Sequence, residues 1–485
     1  MVSLRNIFII IIFIPLNILT SNHIFAQNNF DITTVKNTGL TLVEITTENG
    51  VMPTCDFMEA PEGSMGVTCI NQNKVPCRII ISKQNNILFD SGEYEKNVSG
   101  ATIKIVGNTS ALYDNKPYKI KLQSKADLLF RNNEKYKDKD WRLLKDAKTL
   151  NTIIGLKVNE LLGLPWTPAY KPCNVFINNE YQGCYLLIES VERNSDCRLN
   201  VDKYSGYIIE RDAYWWNETK YFSSQFFDNY LYYRWTWKYP DDDNVSFQQQ
   251  QYIQNYINLT EQSIKDGNYD KYIDVNSFAK WILAHDILGT GDSGGSNLYV
   301  MKYDNTDNSL LEMANLWDFD TIFGMAENEF SRYHNGSNDF YYYDLFNSSN
   351  SLFRKEYITL WNSIKPTLLT EISVFLNTYI ESEESQALQL SRDIHKNKWN
   401  CKMNTVSEDA TSAIEWFNRH IPLLDEKINQ ISTSIIQYQY TNNKNSNIII
   451  NLSGLKSNKI YDLNGRRVTA PHKGIYIKNN KKYSY

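Results

Sequence analysis

The chain contains no CxxC pair and no Cys/His cluster at zinc spacing, so a structural zinc site is not expected. It also lacks a charge surplus of either sign. Its 50 basic and 55 acidic residues leave a net charge of −5, which argues against a nucleic-acid binder driven by phosphate attraction. A protein handling a nucleotide needs only a local basic patch, so the global balance does not oppose that. Internal repeats and long low-complexity tracts are missing as well. Past residue 26 no run is apolar enough to span a bilayer.

What is present is length and apolar mass. The 485 residues suit two to four domains or lobes, and 42% hydrophobic residues allow a sizeable core. Residues 1–26 read as a secretory signal. Arg5 precedes an apolar run over 7–19, which Pro15 and Asn17 interrupt, and Ala26 offers a small residue for cleavage. No Cys lies near that point, so a lipid anchor is not expected. An exported location in turn makes some disulfide pairing expected among the seven cysteines. Cys55, Cys69 and Cys77 lie close in sequence, as do Cys173 and Cys184, but spacing leaves the pairing open and the odd count leaves one thiol over.

Residues 27–130 have a strand-like texture, with short β-rich runs between polar turns. ATIKIVG and YKIKL alternate polar and apolar residues, as half-buried strands do. Lys119 and Lys121 share one face of YKIKL. Following a turn-prone Gly/Asn/Ser stretch, they could meet phosphate oxygens or simply be solvated. From residue 148 the period changes to that of an amphipathic helix, TLNTIIGLKVNELLGL, closed by Gly163 and Pro165. Two strands follow, the second ending at Glu189, and GYIIERD is a further strand. Residues 214–240 are densely aromatic, which suits hairpins on a core or an exposed stacking surface. A helix with Asp274 near its cap then leads into residues 281–324. The stretch 352–435 is helical, 438–446 is an Asn-rich linker, and 447–485 is a small β module.

Residues 281–324 carry the chemistry. Asp292 and Asn297 stand five positions apart on a loop with Gly294 and Gly295, which lets both side chains converge. Asp318 and Asp320 lie two apart in LWDFD. If that segment is extended they share a face and suit a hard cation such as Mg²⁺ or Mn²⁺. The plainer readings are an Asp-Gly turn and a pair of solvated carboxylates.

Several segments in order resemble one family, the kinase-like proteins related to bacterial spore coat protein H (CotH). They are GNTS with KPYKIKL, the run from TLNTIIGL to YLLIESVERN, GYIIERD, WKYPDDD, DVNSFAKWILAHDILGTGDSGGSNLYVMKYD and LWDFDTIFG. Together they cover roughly residues 40–345. The resemblance implies an α+β, atypical protein-kinase-like bilobal fold, with a β-rich N-lobe and an α-rich C-lobe. The kinase-like domain would continue over 131–350, residues 351–437 would extend the C-lobe, and ATP would sit in the cleft. It also implies divalent metal and transfer of the γ-phosphoryl group to Ser or Thr of an exported or surface protein.

On that pattern Asp292 is the base, Asn297 and Asp318 are metal ligands, and Asp320 is the second choice to Asp318. Lys121, then Lys119, would meet the phosphates. Glu160 could pair with such a lysine or be a surface charge, and Glu189 matches an acidic position near the cleft. The C-terminal module is similar to sorting tails of exported Bacteroidetes proteins, so export machinery is a possible partner. Two departures are Val106, where Arg usually precedes GN, and Asn151-Thr152, where an Arg is usual. The loss of two cations sustains a second reading, a non-catalytic surface protein for binding or adhesion. A third reading, a carbohydrate-active enzyme, rests on the paired carboxylates and the aromatics.

Overall fold

A computed structural model describes residues 30–62, 64, 66–145, 149–224, 233–290, 297–324 and 340–442, with four short strands beyond 459. After a one-turn helix α1 (Ile32–Lys36), the alternation of the N-terminal half is realised as β1 (Thr41–Thr47), β2 (Asp56–Glu59), β3 (Val67–Ile70), β4 (Val75–Lys83), β5 (Asn86–Asp90), β6 (Ala101–Ile105), β7 (Tyr118–Ala126) and β8 (Asp138–Lys145). Helix α2 (Thr149–Leu161) follows, then β9 (Tyr170–Ile177) and β10 (Glu180–Glu189).

Strand β1 pairs in parallel with β9 and antiparallel with β4. The order β1-β9-β10-β8-β7-β6-β4 therefore closes on itself as a seven-stranded barrel, with β5 attached to β4. Strands β2 and β3 form a separate hairpin. Period-two alternation fills the barrel: Ile79, Ile103, Ile120, Trp141, Leu143, Val175 and Leu187 are all fully buried in one cluster. A one-residue slip would turn those side chains outward, so the register is strongly fixed. The barrel draws on strands from both sides of residue 130.

The outward parity carries the other half of the pattern. Leu186 and Ile188 of β10 pack with α2 into a larger core. That core also takes in α3 (Phe247–Asp266), α4 (Val275–Leu288), α5 (Phe340–Asn347), α6 (Leu352–Glu381) and the start of α8 (Val406–Asn442). Helix α7 (Glu383–Trp399) packs on the outside of β10. A second, antiparallel sheet is built from β11 (Tyr207–Asp212), β12 (Tyr221–Phe222), β13 (Arg234–Tyr239), β14 (Leu298–Lys302) and β15 (Leu311–Met313), ordered β12-β13-β11-β14-β15. Three of the described aromatics of the 214–240 stretch are buried there: Trp235 and Trp237, with Phe222 against both rings.

Helix α4 starts where the cap signal placed it: the Asp274 side chain accepts from the Ser277 N–H at 2.7 Å. It ends at Gly289 in the left-handed region, where a Cβ would come within 2.5 Å of the Trp416 ring. Among the described residues no helix is long and apolar enough to cross a membrane. The predicted signal segment lies outside the described residues. The C-terminal module forms its own sheet, β16 (Ile460–Asp462), β17 (Arg467–Val468), β18 (Ile475–Lys478) and β19 (Lys481–Ser484), ordered β17-β16-β18-β19.

Candidate active site between the barrel and the second sheet

Strand β14 and strand β15 pair with Val300 opposite Met313, and the Ala314 N–H donates to the Tyr299 carbonyl at 2.9 Å. The hairpin thereby brings Asn297 and the Leu316–Asp320 segment to one end. Asn297 adopts φ 64°, and its N–H donates to Glu210 Oε1 at 2.9 Å. The other Glu210 oxygen holds the Lys238 ammonium at 2.9 Å. One carboxylate of β11 thus fixes both the start of β14 and a lysine of β13.

LWDFD is not extended at its acidic end, contrary to the expectation from spacing. Asp318 takes the left-handed φ of 61°, and Asp320 opens a turn that runs to Phe323. The Phe323 N–H donates to the Leu288 carbonyl at 2.9 Å, which ties the turn to the end of α4. Both carboxylates are exposed, and the Asp320 N–H approaches Asp318 Oδ1 at 3.3 Å. Asp292 lies outside the described residues, between Thr290 at the end of α4 and Asn297.

Helix α2 grips this segment with a stripe at i, i+4, i+8. Asn159 Oδ1 accepts from the Leu316 N–H at 2.9 Å. Gly155 faces the Phe319 ring, with no room for a Cβ, and Asn151 Nδ2 reaches the Phe319 carbonyl at 3.5 Å. Asn151, one of the two departures, is therefore spent on holding the segment that carries Asp318.

The cations divide differently from the sequence expectation. Lys119 is already neutralised by Glu192 at 2.8 Å and Asp140 at 3.1 Å. Lys121 shares that outer face, opposite Asp140 in register, and is exposed. Lys104, Lys119 and Arg142 lie on one rung across β6, β7 and β8. Arg142 stacks over Trp317 at 5.7 Å, and among the described residues its Nε has no hydrogen-bond acceptor. Burial, then the charges of Lys119, Lys74 and Arg142, lower the Lys104 ammonium below the usual lysine range. Lys145, at the end of the strand directly before α2, donates to the Ser110 carbonyl at 3.1 Å and stands over the Tyr113 ring. Burial lowers it, and the nearby Asp320 charge works the other way.

Two of the expected acidic partners belong elsewhere. Glu160 is exposed and pairs with Lys157 of its own helix at 3.0 Å, so it is a surface charge rather than a cleft partner. Glu189 has the parity of Leu187, which faces the barrel interior, and is 1% exposed. It is held by Arg131 at 2.8 Å and by the Ala169 N–H at 2.9 Å. Both of its oxygens are thus committed to the fold.

Facing the barrel rung, the second sheet presents Glu210, Asp212, Lys238 and Tyr299. Arg142 lies close enough for its charge to bear on the Tyr299 phenol. Burial opposes the Lys238 charge, but Glu210, Tyr299, Asp212 and Glu218 hold it well above the ordinary lysine range. Burial first, and Glu210 second, push the Asp212 carboxyl up to about 7. That raised value sets a sign. Its stabilising contribution is complete below the unfolded pKa of about 4 and disappears as pH rises through about 7. Asp212→Asn is expected to flatten the fall in melting temperature over that window. An unchanged slope in thermal scans would refute the assignment.

The site residues that spacing missed are Lys104, Arg142, Lys145, Glu210, Asp212 and Lys238. The strand WRLLK, placed immediately before the helix, was the available signal for Arg142 and Lys145.

The barrel, the helix gripping a carboxylate-bearing turn, and the second sheet make an α+β protein. A family model described as CotH kinase protein matches residues 103–416, well over half of the chain. The chain belongs to the CotH kinase protein family. Among solved structures it is similar to the HipA, HipB and operator DNA toxin–antitoxin complex of Shewanella oneidensis MR-1, at 10% identity and a TM-score of 0.25. That similarity covers 63% of this chain and 65% of the other, so the chain spans just under two thirds of that neighbour. No curated protein matches it.

Proposed function

We propose that the protein is a secreted or surface protein kinase that transfers the γ-phosphoryl group of ATP to Ser or Thr hydroxyls of exported proteins. The observation that carries this reading is the approach of barrel cations to the Trp317–Asp320 segment: Arg142 stacks over the Trp317 ring, and Lys145 lies close enough to Asp320 for the two charges to interact. Phosphoryl transfer is mostly positioning and electrostatics, and it needs these two charge types at opposite ends of a polyphosphate.

The donors fit Mg²⁺ or Mn²⁺. Among the described residues no cluster of three or more His, Cys, Asp or Glu forms a ready cage. Magnesium binds through one or two carboxylates and completes its shell with phosphates and water, so Asp318, Asp320 and the Asn297 amide suffice. The metal, when bound, would offset charge on the phosphates. Lys145 and Arg142 would orient the phosphates from the barrel side. Asp292 would accept the substrate hydroxyl proton. Lys145 takes the place of Lys121 and Lys119 as the preferred phosphate cation, because its strand leads directly into α2.

A second reading keeps the fold and drops turnover. Buried Val106 and the committed Asn151 favour it. Incubation with labelled ATP and Mn²⁺ or Mg²⁺ separates the two. Autophosphorylation is expected in the intact protein and its loss in Asp292→Ala. Arg142→Ala is expected to weaken nucleotide binding by about ten- to a hundredfold, as loss of one charge-assisted contact of about 1.5–3 kcal/mol implies. No nucleotide binding by the intact protein would overturn the kinase reading. The signal segment and the C-terminal module suit export, with the periplasm, cell surface or medium as the destination and export machinery as a partner of the tail.

A further inference from the structure

Cys55, Cys69 and Cys77 contribute to the barrel core at one end. Strands β2 and β3 pair with Phe57 opposite Cys69. Side-chain alternation then places Cys55 on the same face as Cys69, one diagonal step away. Burial raises the Cys55 thiol, and Cys69 lies close enough to raise it further. Cys77 lies deeper on β4, where burial pushes its thiol up to about 12. The other pair close in sequence separates: Cys173 faces the barrel interior, whereas Cys184 faces outward with Leu388 and Val406.

Cys69 also reaches the turn between β6 and β7. Its thiol donates to the Gly107 carbonyl at 3.0 Å, and Thr68 Oγ1 lies 2.6 Å from Asn108 Oδ1. Gly107 and Asn108 belong to the same turn as Ser110, whose carbonyl Lys145 holds. At the far end of the hairpin, a Cβ on Gly66 would come within 2.6 Å of the Tyr214 ring. The hairpin is thus a strap from the Gly107 turn to the segment after β11.

We propose that Cys55 and Cys69 form a disulfide in the exported protein, stapling the base of this strap and setting the Gly107 turn. The oxidant is an external disulfide, either an oxidised dithiol carrier or glutathione disulfide. One cysteine thiolate attacks a sulfur of that disulfide and expels its partner as a thiolate. The second cysteine thiolate attacks the mixed disulfide, the intrachain S–S bond forms, and the donor leaves as two thiols carrying the two protons. The oxidised Cys69 sulfur has no proton, so the Gly107 carbonyl loses that donor. Burial and the Cys69 neighbour push the Cys55 thiol up to about 11, so the reduced pair reacts slowly once folded and exchange accompanies folding. The bond itself stands apart from the kinase reading; only its effect on nucleotide rests on that reading.

The test is peptide mapping of the full chain refolded with glutathione disulfide and alkylated without reduction. One cross-linked species joining the Cys55 and Cys69 peptides is expected, resolving into two on reduction. Cys77→Ser should retain that species and Cys55→Ser should lose it. Quantitative alkylation of Cys55 in the unreduced protein, or its cross-linking to Cys77, overturns the proposal. In parallel, the oxidised and reduced forms should differ several-fold in KM for ATP with Tm higher in the oxidised form. A cross-link in a protein that binds no nucleotide would leave the bond standing and count against the kinase reading alone.

Discussion

Asp318→Asn is expected to lower metal-dependent phosphotransfer by about 10³-fold or more, because it removes the negative charge that the metal–phosphate assembly needs while keeping the side-chain shape. Asparagine is the informative replacement. Asp318 sits at φ 61°, a conformation that asparagine adopts readily and alanine does not. Alanine would confound lost charge with a strained turn. With asparagine the turn to Phe323 and its bond to Leu288 persist, so the melting temperature should stay within a few degrees of the parent. Asp320→Asn should cost less, since Asp320 is the second carboxylate and its charge also bears on Lys145. The measurements are labelled-phosphate transfer and nucleotide titration at varied Mn²⁺. Retained turnover in Asp318→Asn would remove this residue from the site.

The second large effect is structural and reaches the site through packing. A Cβ built on Gly155 falls 1.9 Å from Phe319 Cδ1, with two more ring carbons within 2.5 Å. Neither the helix backbone nor a ring that is 3% exposed can yield that much without repacking. Gly155→Ala, normally favourable in a helix by roughly 1 kcal/mol, is here expected to destabilise by about 1–3 kcal/mol or more. It should also depress activity, because Phe319 is bonded to Asp318 and cannot move alone. Phe319→Leu should partly rescue Gly155→Ala, a non-additivity of the kind neighbours in contact show. Additive losses in thermal unfolding would mean that the ring and the glycine do not share this space.

The contrast between these residues shows what the sequence makes legible. Alternation in YKIKL states which side chains share a face, and the structure respects it. It does not state what that face meets. Lys119 is neutralised by Glu192, 73 positions away. Glu189 has the interior parity of its strand and an arginine 58 positions away for a partner. Periodicity read α2 as an amphipathic helix; the helix is there, but it is buried on almost every side, with only Glu160 exposed, and the Asn151–Gly155–Asn159 stripe makes sense only once Phe319 lies against it. Asp318 and Asp320 were legible as a pair because their chemistry is local. Their geometry was not, because a left-handed residue breaks the period that spacing assumes. Closure of the barrel was likewise hidden, since β1 meets β9 across more than a hundred residues.

That closure bears on where the protein can be cut. The family match begins at residue 103, within β6, so β1 and β4 lie before it. These two strands are the ones that cover the free edges of β9 and β6. A fragment beginning at the family boundary would keep the candidate residues Lys104, Arg142 and Asp318, yet present two long unpaired strand edges to solvent. Open edges invite pairing with other copies. Such a fragment is a recipe for aggregation, and the shortest piece worth expressing begins before Thr41.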